Sequence, residues 1–162
     1  MRLLPLLSAT LLLSLSGLHA ESTLTLTNVH NCCKGCEKGI TAAVTKVSGA
    51  TAAIDKTSVV ITAADEATAK KAAASLVEGG YFGTGAEAPA IADAKVKSAT
   101  VSGVHLCCGK CVTAAEKAVK SVSGVSSHNA EKGAKSFTVE GDFSTAALQK
   151  ALLGAGFSGS IK

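Results

Sequence analysis

The segment Val29-His30-Asn31-Cys32-Cys33-Lys34-Gly35-Cys36 returns 75 positions later as Val104-His105-Leu106-Cys107-Cys108-Gly109-Lys110-Cys111. An internal repeat constrains a chain strongly, because the fold adopted by one copy must suit the other as well. The same shift carries Val47-Ser48-Gly49 onto Val122-Ser123-Gly124, Gly79 onto Gly154 and Phe82 onto Phe157. Between these anchors the copies slip by two residues, aligning Asp65 with Asp142, so the second copy is expected to have a longer turn and a shorter second helix. The pattern predicts two units, 21–85 and 96–162. They are joined by a linker, 86–95, that Pro89 and its alanines make extended or partly helical.

Both copies read alike. Leu24 and Leu26 alternate with threonines, and Ala99 and Val101 match them, as in a half-buried strand. The cysteine loop follows, then a helix with apolar residues three and four apart: Ile40, Val44 and Val47 in one copy, Val112, Ala115, Val119 and Val122 in the other. Lys117 and Lys120 fall on its outer side, and Ser-Gly stops each helix. A weak strand at 52–55, a turn at Lys56-Thr57 and a β-branched strand through Val59 and Ile61 come next, matched by Phe137-Thr138-Val139. Second helices are predicted over 66–77 and 145–153, with Asp65 and Ser144 as N-caps. Gly79, Gly80, Gly154 and Gly156 read as turn formers before short final strands at Phe82 and Phe157. The order β-α-β-β-α-β is an α+β, ferredoxin-like arrangement, with a four-stranded antiparallel sheet and two helices on one face of it in each unit. Units of about 65 residues with alanine-rich helices imply modest individual stability.

Residues 1–20 stand apart. Arg2, a leucine-rich run broken by Pro5, Ser8 and Thr10, and Leu18-His19-Ala20 make the pattern of a secretory signal peptide cleaved after Ala20. The run is too short for a membrane span, which needs about 20 apolar residues. The expected location is periplasmic or secreted, with no membrane attachment after cleavage. A net charge of +4 with scattered lysines argues against nucleic acid. With no Trp, one Tyr and four Phe, an aromatic-lined cofactor pocket is also hard to build. The expectation is a monomer and not an enzyme, since no Ser/His/Asp order, phosphate loop or paired carboxylate motif is present.

All six cysteines lie in the two repeated clusters. Disulfides there would close very small loops, which constrain the unfolded chain least, so the clustering favours metal or redox chemistry. A Cys-x-x-Cys where a strand turns into a helix puts two sulfurs beside the unpaired amides and positive dipole end of the helix. Lys34, Lys38 and Lys110 add positive charge nearby. Both effects favour thiolate, the soft donor suited to Cu(I), Zn(II) or a heavier soft ion. Two sulfurs on a surface loop hold Cu(I) linearly and leave one side open, as a carrier's site would.

With these motifs in place, both halves resemble the heavy-metal-associated domain found in copper chaperones, in the tails of copper-transporting ATPases and in periplasmic mercury-binding proteins. The resemblance implies one metal site per unit, Cys33 with Cys36 and Cys108 with Cys111. It implies Cu(I) first, with Zn(II) or Hg(II) as alternatives, and a metal-transporting protein as partner. The family's Gly-Met-Thr-Cys-x-x-Cys is altered here. His30 and His105 take the glycine position, Asn31 and Leu106 the methionine position, and Cys32 and Cys107 the threonine position, a doubling similar to some plant members. Cys32, Cys107, His30 and His105 are therefore additional ligand candidates, whereas His128 has no counterpart and reads as a surface residue. The resemblance also suggests an aromatic beneath the metal loop at Phe82 and Phe157, where a plain core role is the competing reading.

Two other functions compete. A thiol–disulfide oxidoreductase would use the same motif, but no Trp precedes it, no Pro lies inside it, and Pro89 is the one proline after residue 20. A binding module with oxidised cysteine pairs is the third.

Overall fold

The computed structural model describes residues 21–162, so the expected signal peptide lies outside the described residues. The first half runs β1 (Ser22–Leu26), α1 (Lys34–Thr45), β2 (Ala50–Asp55), β3 (Ser58–Ala63) and α2 (Glu66–Glu78). The second runs β4 (Lys95–Ser102), α3 (Gly109–Lys120), β5 (Val125–His128), β6 (Ser136–Ser144), α4 (Thr145–Gly154) and β7 (Ser160–Ile161). Both sheets are antiparallel, ordered β1-β3-β2 and β5-β6-β4-β7.

Sequence logic accounts for most of this. In β3, Val59, Ile61 and Ala63 are buried and alternate with partly exposed residues, and α1 and α2 pack on the sheet. Lys56, in the left-handed region at φ 52°, makes the tight β2–β3 turn. Asp65 caps α2, its Oδ1 accepting from the Thr68 amide at 2.7 Å, and Ser144 caps α4, its Oγ accepting from the Ala147 amide at 3.0 Å. The β5–β6 turn is longer than its counterpart and α4 is shorter than α2, as the two-residue slip predicts.

The expected four-stranded first sheet is not formed. It has three strands, and the place of the fourth is taken by a single bridge between Thr27 and Thr84, whose amides and carbonyls pair at 3.0 and 2.8 Å. The reason is that the chain at 81–82 pairs elsewhere. Tyr81 bridges Phe157 of the other half, with Phe82 N–H donating to the Gly156 carbonyl and Ser158 N–H to the Gly80 carbonyl, both at 3.0 Å. Gly83 and Gly85 then break any further strand.

This pairing docks the halves with approximate two-fold symmetry. Gly80 and Gly156 both lie at positive φ, 89° and 83°. A Cβ on Gly80 would meet the Gly103 carbonyl and the His105 amide, and one on Gly156 would meet the His30 amide and the Asn28 carbonyl. Only glycine permits so close a backbone approach at that conformation. Asn28 Nδ2 adds a hydrogen bond to the Gly154 carbonyl at 2.8 Å. The halves share one hydrophobic core, in which Val29 and Ile40 lie with Val104, Leu106 and Phe157. The linker folds onto the start of α4: Thr145 exchanges hydrogen bonds with Ala94, and Gln149 Nε2 donates to the Pro89 carbonyl.

Candidate metal centre

Cys33 and Cys108 are the N-cap residues of α1 and α3, both in extended backbone conformation, which brings Cys36 and Cys111 into the first helical turns. Each motif therefore sits at a helix N-terminus, as its spacing predicts. The two-fold docking then turns the two loops toward one another, and all six free thiols meet in a single cluster. Within the motifs, Cys33–Cys36 and Cys108–Cys111 are 3.8 and 3.5 Å apart, and Cys32–Cys36 and Cys107–Cys111 are 3.8 and 3.6 Å. Between the halves, Cys32–Cys108 and Cys33–Cys107 lie at 3.4 and 3.7 Å, and Cys32–Cys111 and Cys36–Cys107 at 3.6 and 3.7 Å. Cys36–Cys111, on the symmetry axis, is 3.7 Å. Every contact has its symmetry counterpart. Cys36 and Cys111 are fully buried and the other four are half-buried.

The donor set fits soft cations. A metal held about 2.3 Å from each sulfur spaces its ligands about 3.8 Å apart in a tetrahedron and about 4.0 Å in a triangle. The observed separations need only a small expansion to reach those values.

Two imidazoles and two aromatics frame the cluster. His30 stacks on Phe157 with ring centroids 4.3 Å apart, and His105 lies against Tyr81 at 4.4 Å, each histidine on the aromatic of the other half. Burial, then the neighbouring His105, lowers the His30 pKa; burial, then Lys135, lowers that of His105. Both rings are thus neutral at pH 7, the ligating form. Their Nε2 atoms are buried without a hydrogen-bond partner. A ring nitrogen of His30 lies with the sulfurs of Cys32, Cys36 and Cys111, all within 4.8 Å of one another, while His105 joins no such group among the described residues.

The thiols divide unequally. The Cys111 amide at the α3 N-terminus, outweighing some desolvation, and the thiols of Cys32 and Cys111 lower the Cys108 pKa to about 6. Burial raises Cys107 to about 12. Burial followed by neighbouring thiols pushes Cys32 well up, and burial with Cys108 does the same to Cys111. For Cys36 burial works against ionisation, but the Cys32 amide and the surrounding thiols outweigh it and the pKa falls. Six sulfurs this close cannot all be anionic without a cation between them.

Residues 98–158 match the heavy-metal-associated domain. The matched segment holds His105, Cys107, Cys108 and Cys111, and a domain of this kind implies binding of heavy-metal ions. No curated protein matches the chain. Among solved structures, the N-terminal soluble domains of Bacillus subtilis CopA are 18% identical, with 90% of this chain and 96% of that chain covered and a TM-score of 0.34. The water-soluble region of the P-type ATPase CopA from Bacillus subtilis gives 18%, 90%, 93% and 0.34. Likenesses at that level transfer neither fold nor function.

Cys33, Cys36, Cys108 and Cys111, expected as two separate pairs, are one group, and the additional candidates Cys32 and Cys107 lie in it as well. His128 lies on β5, half-buried, its Nδ1 accepting from the Ala130 amide at 3.4 Å. Phe82 does not lie beneath the metal loop; it is partly exposed and outside the core. Tyr81 takes that role, buried, its hydroxyl donating to the Cys36 carbonyl at 3.3 Å. A shift of 76 rather than 75 would have found it, since this aligns Gly80-Tyr81 with Gly156-Phe157.

Proposed function

We propose that this chain binds Cu(I) outside the cytoplasm and holds it as a buffer, without catalysing a reaction. The observation that carries this reading is the convergence of six thiols from both halves at separations of 3.4 to 3.8 Å. Among these contacts triangles of sulfurs recur, but no four sulfurs are all adjacent to one another. Three-sulfur faces suit Cu(I), whereas Zn(II) favours a tetrahedron of ligands. His30 with Cys32, Cys36 and Cys111 is the one four-donor group suited to Zn(II) among the described residues. Buffering is preferred to hand-over because Cys36 and Cys111 are fully buried. A metal-transporting partner would have to part the halves before its thiols reached both members of either pair. The extracytoplasmic location rests on residues 1–20 alone.

Titrating the reduced protein with Cu(I) against a colorimetric Cu(I) chelator tests the reading, with Zn(II) and Hg(II) in parallel. Cu(I) retained against the chelator is expected, with Zn(II) bound more weakly. Failure to compete for Cu(I) would sink the proposal. Recovery of the processed protein in the cytoplasmic fraction would sink the assignment of location.

One feature favours a second reading. Cys108, lowered to about 6, lies 3.4 Å from Cys32 and 3.5 Å from Cys111, a nucleophile beside two resolving thiols. Rapid turnover of a peptide disulfide by the metal-free protein would support thiol–disulfide exchange instead.

A further inference from the structure

The number of cations in the centre is written in how the sulfurs adjoin. Their contacts form a strip of four triangular faces. The outer two are Cys33–Cys36–Cys107 and Cys32–Cys108–Cys111, with edges of 3.7 to 3.8 Å and 3.4 to 3.6 Å. They share no sulfur, together use all six, and each draws ligands from both halves. Between them lie Cys36–Cys107–Cys111 and Cys32–Cys36–Cys111, which share the buried Cys36–Cys111 edge of 3.7 Å.

A lone cation would sit on one face and leave three thiols around it unligated, and on either outer face one of the three is the fully buried Cys36 or Cys111. Charge disfavours that state as well. The α1 and α3 N-termini each contribute roughly half a positive charge. One monovalent ion added to these would leave most of a six-thiolate charge uncompensated, or most of the thiols protonated. A second and further ions relieve both problems, since the first ion draws ligands from both halves and so holds the remaining sulfurs in place for the rest.

We infer that the centre holds a polynuclear Cu(I)–thiolate cluster built jointly by the two halves, in which one chain takes at least two and at most four cations, and Cys36 and Cys111, each a corner of three of the four faces, bridge ions on adjacent faces. The inference rests on the Cu(I)-binding reading above. It gives Cys32 and Cys107 a definite role, since each completes a trigonal face whose other sulfurs include the opposite half. The cluster is therefore also the clasp between the halves, and ions enter cooperatively because the first closes the faces used by the rest.

Native mass spectrometry during Cu(I) titration of the full reduced chain, with X-ray absorption of the loaded protein, tests this. The expected result is a population dominated by metal-free and multiply loaded chains, with metal–metal scattering in the loaded state. Cys32→Ser with Cys107→Ser retains both Cys-x-x-Cys pairs while removing one sulfur from every face. It should abolish metal–metal scattering and make filling stepwise, with circular dichroism confirming that the variant is folded. Absence of any Cu(I) binding would defeat the functional reading itself. Binding of one ion, or of two that fill independently without metal–metal scattering, would leave that reading intact and overturn the cluster. So would a double variant that keeps the wild-type scattering.

Discussion

Gly156→Ala tests whether the docked halves make the centre. Two penalties apply to it. A side chain at φ 83° carries left-handed strain of about 1–2 kcal/mol. Its Cβ would also meet the His30 amide and Asn28 carbonyl, so the halves must shift. That shift breaks the hydrogen bonds that the Gly156 carbonyl accepts from Phe82 N–H at 3.0 Å and His30 N–H at 3.4 Å, each contributing about 0.5–1.5 kcal/mol. Gly49 isolates the first penalty, because it has φ 80° and a Cβ added there would meet nothing within 4 Å. Gly49→Ala should therefore cost about 1–2 kcal/mol, a few degrees in Tm at about 3–5 °C per kcal/mol, and leave Cu(I) affinity unchanged. Gly156→Ala should cost about 1–3 kcal/mol more, and the lost docking energy should emerge as roughly 5- to 150-fold weaker Cu(I) binding. Thermal unfolding of the metal-free proteins and chelator competition on the loaded ones measure both quantities. Equal Tm and equal affinity in the two variants would refute the claim that docking builds the site.

Other consequences follow from the same geometry. Alkylation of the metal-free protein should modify Cys108 first, because the thiolate is the nucleophile; its rate should persist at neutral pH and fall as pH drops through about 6, as peptide mapping of the labelled site would reveal. Cys32, Cys107 and Cys111, all raised, are still protonated at neutral pH and must each lose a proton on ligation, so apparent Cu(I) affinity should climb from about pH 6.5 to 8.5, with proton release measured in weak buffer; a flat profile would contradict their role as ligands. Phe157→Ala removes a fully buried ring from the shared core and should destabilise by about 3–5 kcal/mol in denaturant unfolding. Tyr81→Phe loses only the bond to the Cys36 carbonyl, about 0.5–1.5 kcal/mol.

How legible this was depended on the range of the interaction. Local features were plain: the Asp65 and Ser144 caps, the Lys56-Thr57 turn and the placing of both cysteine motifs at helix starts follow from neighbours a few residues away. The missing fourth strand and the role of Tyr81 were not, because both depend on pairing between Tyr81 and Phe157, in opposite halves of the chain. Helix periodicity assigned Val112 to the core, yet it is only partly buried, and Cys111 beside it is fully buried. That exchange makes sense once the thiols face another protein surface rather than solvent. Adjacent cysteines of one loop meet different sulfurs of the other, Cys32 meeting Cys108 and Cys33 meeting Cys107. What no single repeat contains is the other loop, which receives both.

The repeat itself supplies the reason that the loops meet. Two identical surfaces related by a two-fold axis bring each residue near the axis against its own counterpart, as Cys36 meets Cys111, and bring those off the axis into exchanged pairs, as Cys32 meets Cys108 while Cys107 meets Cys33. A trigonal face drawn from both halves is thus a consequence of symmetry, needing no ligand unique to either. In separate chains the same contact would depend on concentration. The linker makes it intramolecular, and Thr145 and Gln149 pin that linker to the second half, so the effective concentration of one loop at the other is high before any metal arrives. Substitution of Gly80 or Gly156 therefore acts on the metal centre by displacing one half and the His105 or His30 backbone it touches, without removing a donor atom, whereas substitution of Cys36 or Cys111 removes a sulfur shared by faces on both sides of the axis.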